Sequence, residues 1–162
     1  MSHSIYAMSK PPTPSGVEAS GMSVTAPCPF CGQLNRVDLT RLAAGPRCGS
    51  CKRPLHLDRP VSVTADQFDA VLAGSDAPVL VDFYADWCGP CRILAPVVDE
   101  LAQARSGALL VLKVDTERHP GISERFGIRG IPTLIAFRRG KETGRHVGLA
   151  RREQLDALVG AP

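Results

Sequence analysis

The sequence predicts a layered α/β sheet domain, preceded by a small segment that cysteine side chains hold together. The first observation is that apolar runs typical of buried strands alternate with helical apolar spacing from residue 61 onward. The second is a pair of Cys-x-x-Cys motifs before that point, in a segment with few large apolar residues. The third is the composition, since 44% hydrophobic and 22% charged residues are typical of globular proteins.

The first half of the sheet domain contains its clearest elements. Thr64 can cap a helix over residues 65–73, whose apolar residues recur at helical spacing. Residues 79–84 form a continuous apolar run that only Asp82 interrupts, a pattern typical of a strand buried on both faces. Helical spacing resumes over residues 88–104.

The second half continues the alternation. The same periodicities predict strands over residues 109–114, 133–137 and 142–147, and helices over residues 121–126 and 151–158. Strands that alternate with helices and end in a hairpin imply a layered α/β sheet.

The chain divides into three parts. Residues 1–23 are rich in Ser, Pro and Gly and predict a disordered tail. Residues 24–58 contain four cysteines but too few apolar residues to form a core of their own, so they need a metal or a cross-link. Residues 59–162 form the sheet domain.

Cys88 and Cys91 follow the predicted strand and open the predicted long helix. A helix N-terminus favours a thiolate over a thiol, and two intervening residues let the second sulfur close a disulfide. Asp82 lies between apolar residues of the strand, so desolvation should raise its pKa toward the range of a general base. The alternatives for the cysteine pair are half of a metal site or two unreactive thiols.

The other four cysteines predict a metal site. Cys28, Cys31, Cys48 and Cys51 form two Cys-x-x-Cys pairs separated by sixteen residues, which is the spacing of a zinc ribbon. Four thiolates complete a tetrahedral shell with no open position, so the zinc should be structural. Two disulfides or an iron site are the alternatives.

Charge and hydropathy exclude several functional classes. Residues 1–59 carry seven basic and three acidic residues, but no aromatic pattern for base stacking accompanies them, so we expect no nucleic-acid binding. No apolar run reaches the roughly 18 residues of a membrane span, and the N-terminal residues do not resemble a secretory signal. We therefore expect a cytoplasmic protein with reduced thiols.

Two segments resemble the thioredoxin family. Residues 81–91, VDFYADWCGPC, resemble its active-site segment, and residues 126–133, FGIRGIPT, resemble its proline loop. The ribbon in front is similar to that of the zinc-containing thioredoxins of bacteria. The resemblance implies the thioredoxin fold, a central mixed sheet flanked by helices, and the activity of a protein-disulfide reductase.

The resemblance also implies residue roles. Cys88 would be the attacking thiolate and Cys91 the resolving thiol, which Asp82 helps to deprotonate, with Lys113 nearby and Pro132 as a cis-proline facing the sulfurs. The apolar surface on which clients dock would consist of Trp87, Gly89, Pro90, Gly130, Ile131 and Gly148. Tyr84 departs from the family, which most often has Trp there, so redox tuning could differ.

The implied partners are oxidised client proteins and, as electron donor, thioredoxin reductase. The chain contains no Gly-rich dinucleotide fingerprint, so we expect no bound NADPH, and we expect a monomer. A competing hypothesis is a redox-responsive interaction module in which the ribbon binds a partner. On the reductase hypothesis, much of the activity should survive removal of residues 1–58. A disulfide-forming oxidant is a weaker hypothesis, since it would require an exported chain.

Overall fold

The computed structural model describes residues 22–161, which form a small two-stranded sheet followed by a five-stranded sheet with four α-helices. The strands are β1 (Ser23–Pro27), β2 (Leu34–Asp38), β3 (Val61–Ser62), β4 (Val79–Tyr84), β5 (Leu110–Asp115), β6 (Thr133–Arg138) and β7 (Lys141–Val147). The helices are α1 (Ala65–Ala73), α2 (Gly89–Ala104), α3 (Pro120–Arg125) and α4 (Arg152–Val159), and a 3-10 helix spans Leu39–Ala44.

The five-stranded sheet is mixed, with the strand order β3-β5-β4-β6-β7. β3 and β4 both run parallel to β5, whereas β6 is antiparallel to β4 and to β7. The central strand β4 therefore has a partner on each side, which explains why its residues are nearly all apolar and buried. The predicted mixed sheet flanked by helices is confirmed.

Side chains of β4 alternate between two cores, as the pleat of a strand requires. Val79, Val81 and Phe83 pack in one core with residues of α1 and α3. Leu80 packs on the other face, in a core built with residues of α2 and α4. Asp82 and Tyr84 share the face of Leu80 by this alternation, so they lie on the α2 side of the sheet.

The cysteine segment packs against α1 and shares the first of these cores. Its buried residues Val24, Val37 and Leu57 belong to the same apolar cluster as Phe68 and Val71 of α1. One continuous core on this side of the sheet thus joins the two parts of the chain.

Polar contacts strengthen the same junction. The Arg36 guanidinium contacts Asp76 at 2.7 Å, and Gln67 Nε2 donates to the Gly32 carbonyl at 2.9 Å. The backbone of Gly74 approaches Thr25 so closely that a Cβ at residue 74 would overlap the Thr25 side chain. A side chain is therefore not tolerated at this contact without movement of β1.

Most predicted elements are confirmed, with boundaries displaced by no more than a residue or so, and α1 and β4 match the prediction at both ends. Pairing of β1 with β2 and the short strand β3 were not predicted. β1 begins at Ser23, inside the predicted tail, while residues 1–21 of that tail lie outside the described residues.

Candidate functional site

A disulfide joins Cys88 and Cys91 at the beginning of α2. Cys88 is the N-cap residue, with extended backbone, and its Sγ accepts a hydrogen bond from the Cys91 N–H at 3.2 Å. Pro90 occupies the first turn, where its missing N–H costs no helical hydrogen bond. Free N–H groups and the helix dipole at this position favour negative charge on the Cys88 sulfur once the disulfide is opened.

The two cysteines line different cavities, although both are buried. Cys88 lines an open cavity of about 450 Å³ whose walls include Trp87, Pro90 and Ile131. Cys91 lines a smaller cavity of about 140 Å³ on the other side. A client disulfide therefore has room to approach the first sulfur, whereas the cavity beside the second sulfur is much smaller.

Asp82 lines the smaller cavity together with Cys91 and Lys113. It is 2% exposed, and its Oδ1 has no hydrogen-bond partner within residues 22–161. Burial raises the pKa of Asp82 to about 6, and the charge of Asp99 acts in the same direction, whereas the charge of Lys113 opposes the rise. A carboxyl group with this pKa can hold or accept a proton near neutral pH.

Lys113 reaches this cavity from the neighbouring strand. It is the register partner of Asp82 in the parallel pairing of β4 with β5. Its Nζ lies 4.3 Å from the centre of the Tyr84 ring, in a cation–π contact.

The loop before β6 lies against the first sulfur. The Ile131–Pro132 peptide bond is cis, and the Ile131 carbonyl oxygen lies 3.8 Å from Cys88 Sγ. The Pro132 carbonyl accepts a hydrogen bond from the Gly148 N–H at 2.8 Å, so the loop after β7 lies beside the same site.

The structure brings the predicted redox and docking residues together at the same end of the sheet. Those that line the larger cavity with Cys88 are Trp87, Gly89, Pro90, Gly130 and Ile131. Trp87 is the one tryptophan of the chain, and it is 67% exposed. A large aromatic side chain with this much exposure is typical of a binding surface.

Sequence reasoning missed four residues of the larger cavity, namely Thr116, Ser123, Ile128 and Arg129. Ile128 and Arg129 belong to the proline-loop motif itself, so the motif contained the signal for them. Thr116 and Ser123 lie outside both motifs, and only their position in the fold brings them to the cavity.

The remaining four cysteines cluster at the tips of two turns. The Sγ atoms of Cys28, Cys31, Cys48 and Cys51 all lie within 4.8 Å of one another. The Sγ atoms of Cys28 and Cys51 lie 3.6 Å apart, as do those of Cys31 and Cys48. Both distances are far longer than the roughly 2.05 Å of a disulfide bond. Four sulfurs bound tetrahedrally at about 2.3 Å from a zinc ion would be roughly 3.8 Å apart, so the cluster fits the metal.

The two cysteine turns have the same backbone hydrogen bonds. The N–H groups of Gly32 and Lys52 donate to the carbonyls of Cys28 and Cys48 at 2.9 and 3.0 Å. Both donors have left-handed backbone, with φ of 75° and 62°, which glycine adopts readily and lysine does not. Backbone N–H groups, above all that of Cys51, lower the pKa of Cys48 to about 6. The Arg53 N–H lowers the pKa of Cys51, but burial and the neighbouring thiols outweigh it and raise that pKa to about 11.

Comparison with known proteins decides the family. The sequence model described as "Thioredoxin" matches residues 59–161. The chain belongs to the thioredoxin family. It is therefore a thiol-disulfide oxidoreductase, with Cys88 and Cys91 at disulfide distance in the place of the active site.

Further similarities cover both parts of this thioredoxin. A model described as "Thioredoxin 2, N-terminal", a zinc-ribbon family, matches residues 27–53, and with the four-cysteine cluster it indicates a zinc-ribbon thioredoxin. Thioredoxin C-3 of Corynebacterium nephridii is 37% identical over 128 residues, which are 79% of this chain and 88% of that protein. Thioredoxin 1 of a Nostoc strain is 47% identical over 97 residues, which are 60% of this chain and 91% of its own length.

A solved structure supports the fold. A mutant thioredoxin from Halobacterium salinarum NRC-1, altered at one position, superposes with a TM-score of 0.58 at 34% identity, covering 67% of this chain and 97% of its own. None of the helices within residues 22–161 combines the length and the apolar character needed to cross a bilayer.

Proposed function

We propose that this thioredoxin reduces protein disulfides through the Cys88–Cys91 pair. The observation that carries the proposal is the division of the pair between two cavities, one open and lined by apolar residues and one that contains Asp82. This arrangement gives the two sulfurs different tasks.

In the first step, the Cys88 thiolate attacks one sulfur of a client disulfide. The client S–S bond breaks, a mixed disulfide forms, and the first client sulfur leaves as a thiolate that takes a proton from solvent. Cys88 is suited to this step because the start of α2 favours its thiolate and its cavity is open to the client.

In the second step, Cys91 resolves the mixed disulfide. Asp82 accepts the Cys91 proton, directly or through a water molecule, and the Cys91 thiolate attacks Cys88 Sγ. The mixed disulfide breaks, the Cys88–Cys91 disulfide forms, and the second client sulfur leaves reduced. Two electrons thus pass from the cysteine pair to the client, and Lys113 supports the charge on Asp82.

The client would dock on the surface around Cys88. Trp87, Pro90 and Ile131 supply apolar contacts, while Gly89, Gly130 and Gly148 add no side chains that would obstruct an extended backbone. Pro132 would fix the loop whose neighbouring backbone pairs with the client.

The oxidised pair would be reduced again by thioredoxin reductase, which draws its electrons from NADPH, so this chain itself binds no NADPH. We further propose a cytoplasmic monomer that acts on oxidised proteins and does not bind nucleic acid.

For the ribbon, we propose a zinc ion held by Cys28, Cys31, Cys48 and Cys51. The ion would supply structural cross-linking without an open coordination position. The proposed division of the chain is a tail over residues 1–23, the ribbon over residues 24–58 and the thioredoxin domain over residues 59–162.

The activity is tested with insulin as client. The purified protein, thioredoxin reductase and NADPH should reduce insulin, which precipitates as its chains separate, while NADPH oxidation follows the electrons. Omission of the reductase should stop both signals. If the protein did not accelerate insulin reduction beyond the rate of dithiothreitol alone, the proposal would be overturned.

The pKa of Asp82 leads to a prediction about stability. The unfolded chain ionises this carboxyl near pH 3.9 and the folded chain near pH 6, so the folded state binds more protons in between and stability falls as pH rises through this window. Asp82→Asn should therefore raise the free energy of unfolding by up to roughly 3 kcal/mol at about pH 7.5 and by little at about pH 3.5.

Denaturant unfolding of the oxidised protein across this pH range measures the effect. Glu100→Gln, which changes an exposed carboxylate of α2 that does not contribute to the raised pKa of Asp82, serves as the control and should change stability by only a few tenths of a kcal/mol. Equal pH profiles for the wild type and Asp82→Asn would contradict the raised pKa.

A further inference from the structure

Tyr84 contacts the one cation that opposes the rise in the pKa of Asp82. Lys113 Nζ lies over the Tyr84 ring, 4.3 Å from its centre. Within residues 22–161, Lys113 makes no ion pair with a carboxylate, so the ring is its main fixed contact.

The register of the sheet explains the arrangement. Asp82 and Tyr84 are two residues apart on β4 and therefore point to the same face, and Lys113 is paired directly with Asp82. All three line the small cavity that also contains Cys91. A lysine side chain that followed its own preference would extend into solvent, away from the buried carboxyl group.

We propose that Tyr84 is a positioning residue, whose ring holds the Lys113 ammonium group where its charge acts on the buried Asp82 carboxylate, and thereby sets the pH at which Cys91 loses its proton. The link to Cys91 rests on the function proposed above. The link between Tyr84, Lys113 and Asp82 does not depend on it.

Other charges around Lys113 and Asp82 must be weighed against this contact. The two cavities that Lys113 lines also include Asp58 and Arg59 before β3, Asp86 after β4, and Arg92, Asp99 and Glu100 from α2. Arg59 is paired with Asp58, and the Arg92 guanidinium donates to the Asp86 carbonyl at 2.6 Å. Both competing cations thus have partners of their own.

The Tyr84 hydroxyl group stays protonated, so the ring that contacts Lys113 is neutral. Burial, together with the charge of Asp115, raises the pKa of Tyr84 above its usual value. The ring therefore remains neutral over the working range of the enzyme and presents its negative face to the ammonium group.

A double-mutant cycle with a direct readout tests the proposal. The Asp82 carboxyl carbon is titrated by NMR in the full-length, zinc-loaded, oxidised protein, in the wild type and in Tyr84→Phe, Tyr84→Leu, Lys113→Gln and the double variant Tyr84→Leu/Lys113→Gln. Tyr84→Phe keeps the ring and should titrate like the wild type. Tyr84→Leu should raise the Asp82 midpoint by roughly 0.5 pH unit, because Lys113 is released to solvent.

The comparison between Lys113→Gln and the double variant decides whether the Tyr84 ring acts through the lysine. If the ring acts through Lys113, Tyr84→Leu should not move the Asp82 midpoint further once Lys113 is Gln. An equal shift in both backgrounds, or no shift in either, would overturn the proposal, because the ring would then act by packing alone or not at all.

The pH profile of insulin reduction separates this proposal from the proposed function. In Tyr84→Leu, the acidic side of the rate–pH profile should move by the same amount as the titration midpoint of Asp82. If the titration midpoint moved but the rate–pH profile did not, Asp82 would have no role in the reaction, and Tyr84 would still be the residue that positions Lys113.

Discussion

Cys88→Ser should lower the rate of insulin reduction at least about a thousandfold, because a serine hydroxyl is not ionised near neutral pH and cannot form a disulfide. The fold should be unaffected, since the side chain differs by one atom in a position that is buried beside Ile131. The rate is measured with thioredoxin reductase as the electron source, and with dithiothreitol after the rate of dithiothreitol alone is subtracted.

Cys91→Ser is the matched variant. It retains the attacking sulfur but lacks the resolving one, so it should accumulate a mixed disulfide with the client that mass spectrometry detects at one client per chain. If Cys88→Ser formed the adduct instead, the order of attack proposed here would be reversed. Normal turnover in Cys88→Ser would exclude the pair as the active site.

Cys48→Ser should release the metal and lower the free energy of unfolding by more than about 3 kcal/mol, because structural zinc contributes directly to folding. The effect should extend beyond the ribbon, since Val24, Val37 and Leu57 share a core with α1. Zinc content by mass spectrometry and thermal unfolding, with and without a chelator, measure the change.

Ser50→Ala is the control for this prediction, since Ser50 lies in the same turn, is exposed and offers no sulfur. It should retain one zinc ion per chain and unfold at the temperature of the wild type. A Cys48→Ser protein that kept its metal and its stability would show that the cluster is not a structural site.

The shared core also changes what truncation would measure. Removal of residues 1–58 would expose the faces of Val61 and Phe68 that the ribbon covers, so we expect the truncated chain to lose stability. Loss of activity in that chain would therefore reflect unfolding rather than a catalytic role of the ribbon. Single ligand substitutions, read out by metal content, avoid this ambiguity.

Elements with strong local signals were predicted well. Thr64 and Gln67 form the capping box at the start of α1, and the apolar spacing of the helix repeats without interruption. β4 was predicted at both ends because a buried central strand is apolar throughout. The two-residue strand β3 was missed because its partner β5 is distant in the chain, whereas β1 and β2 pair locally but are too short and too mixed in polarity to show a strand pattern.

The sequence by itself determined the chemistry of this protein. The spacing of Cys88 and Cys91 after a buried strand, and of the other four cysteines around sixteen intervening residues, is a local property that any fold of these segments retains. The same is true of Asp82, whose burial follows from its apolar neighbours in the strand.

Only the tertiary structure decided which groups meet. The family resemblance implied Lys113 near Asp82, but the contact of its ammonium group with the Tyr84 ring and the shared core of the ribbon and α1 came only from the structure. Both depend on contacts between residues far apart in the chain. Such contacts form where burial of the whole molecule is most favourable, and no local pattern in the sequence records them.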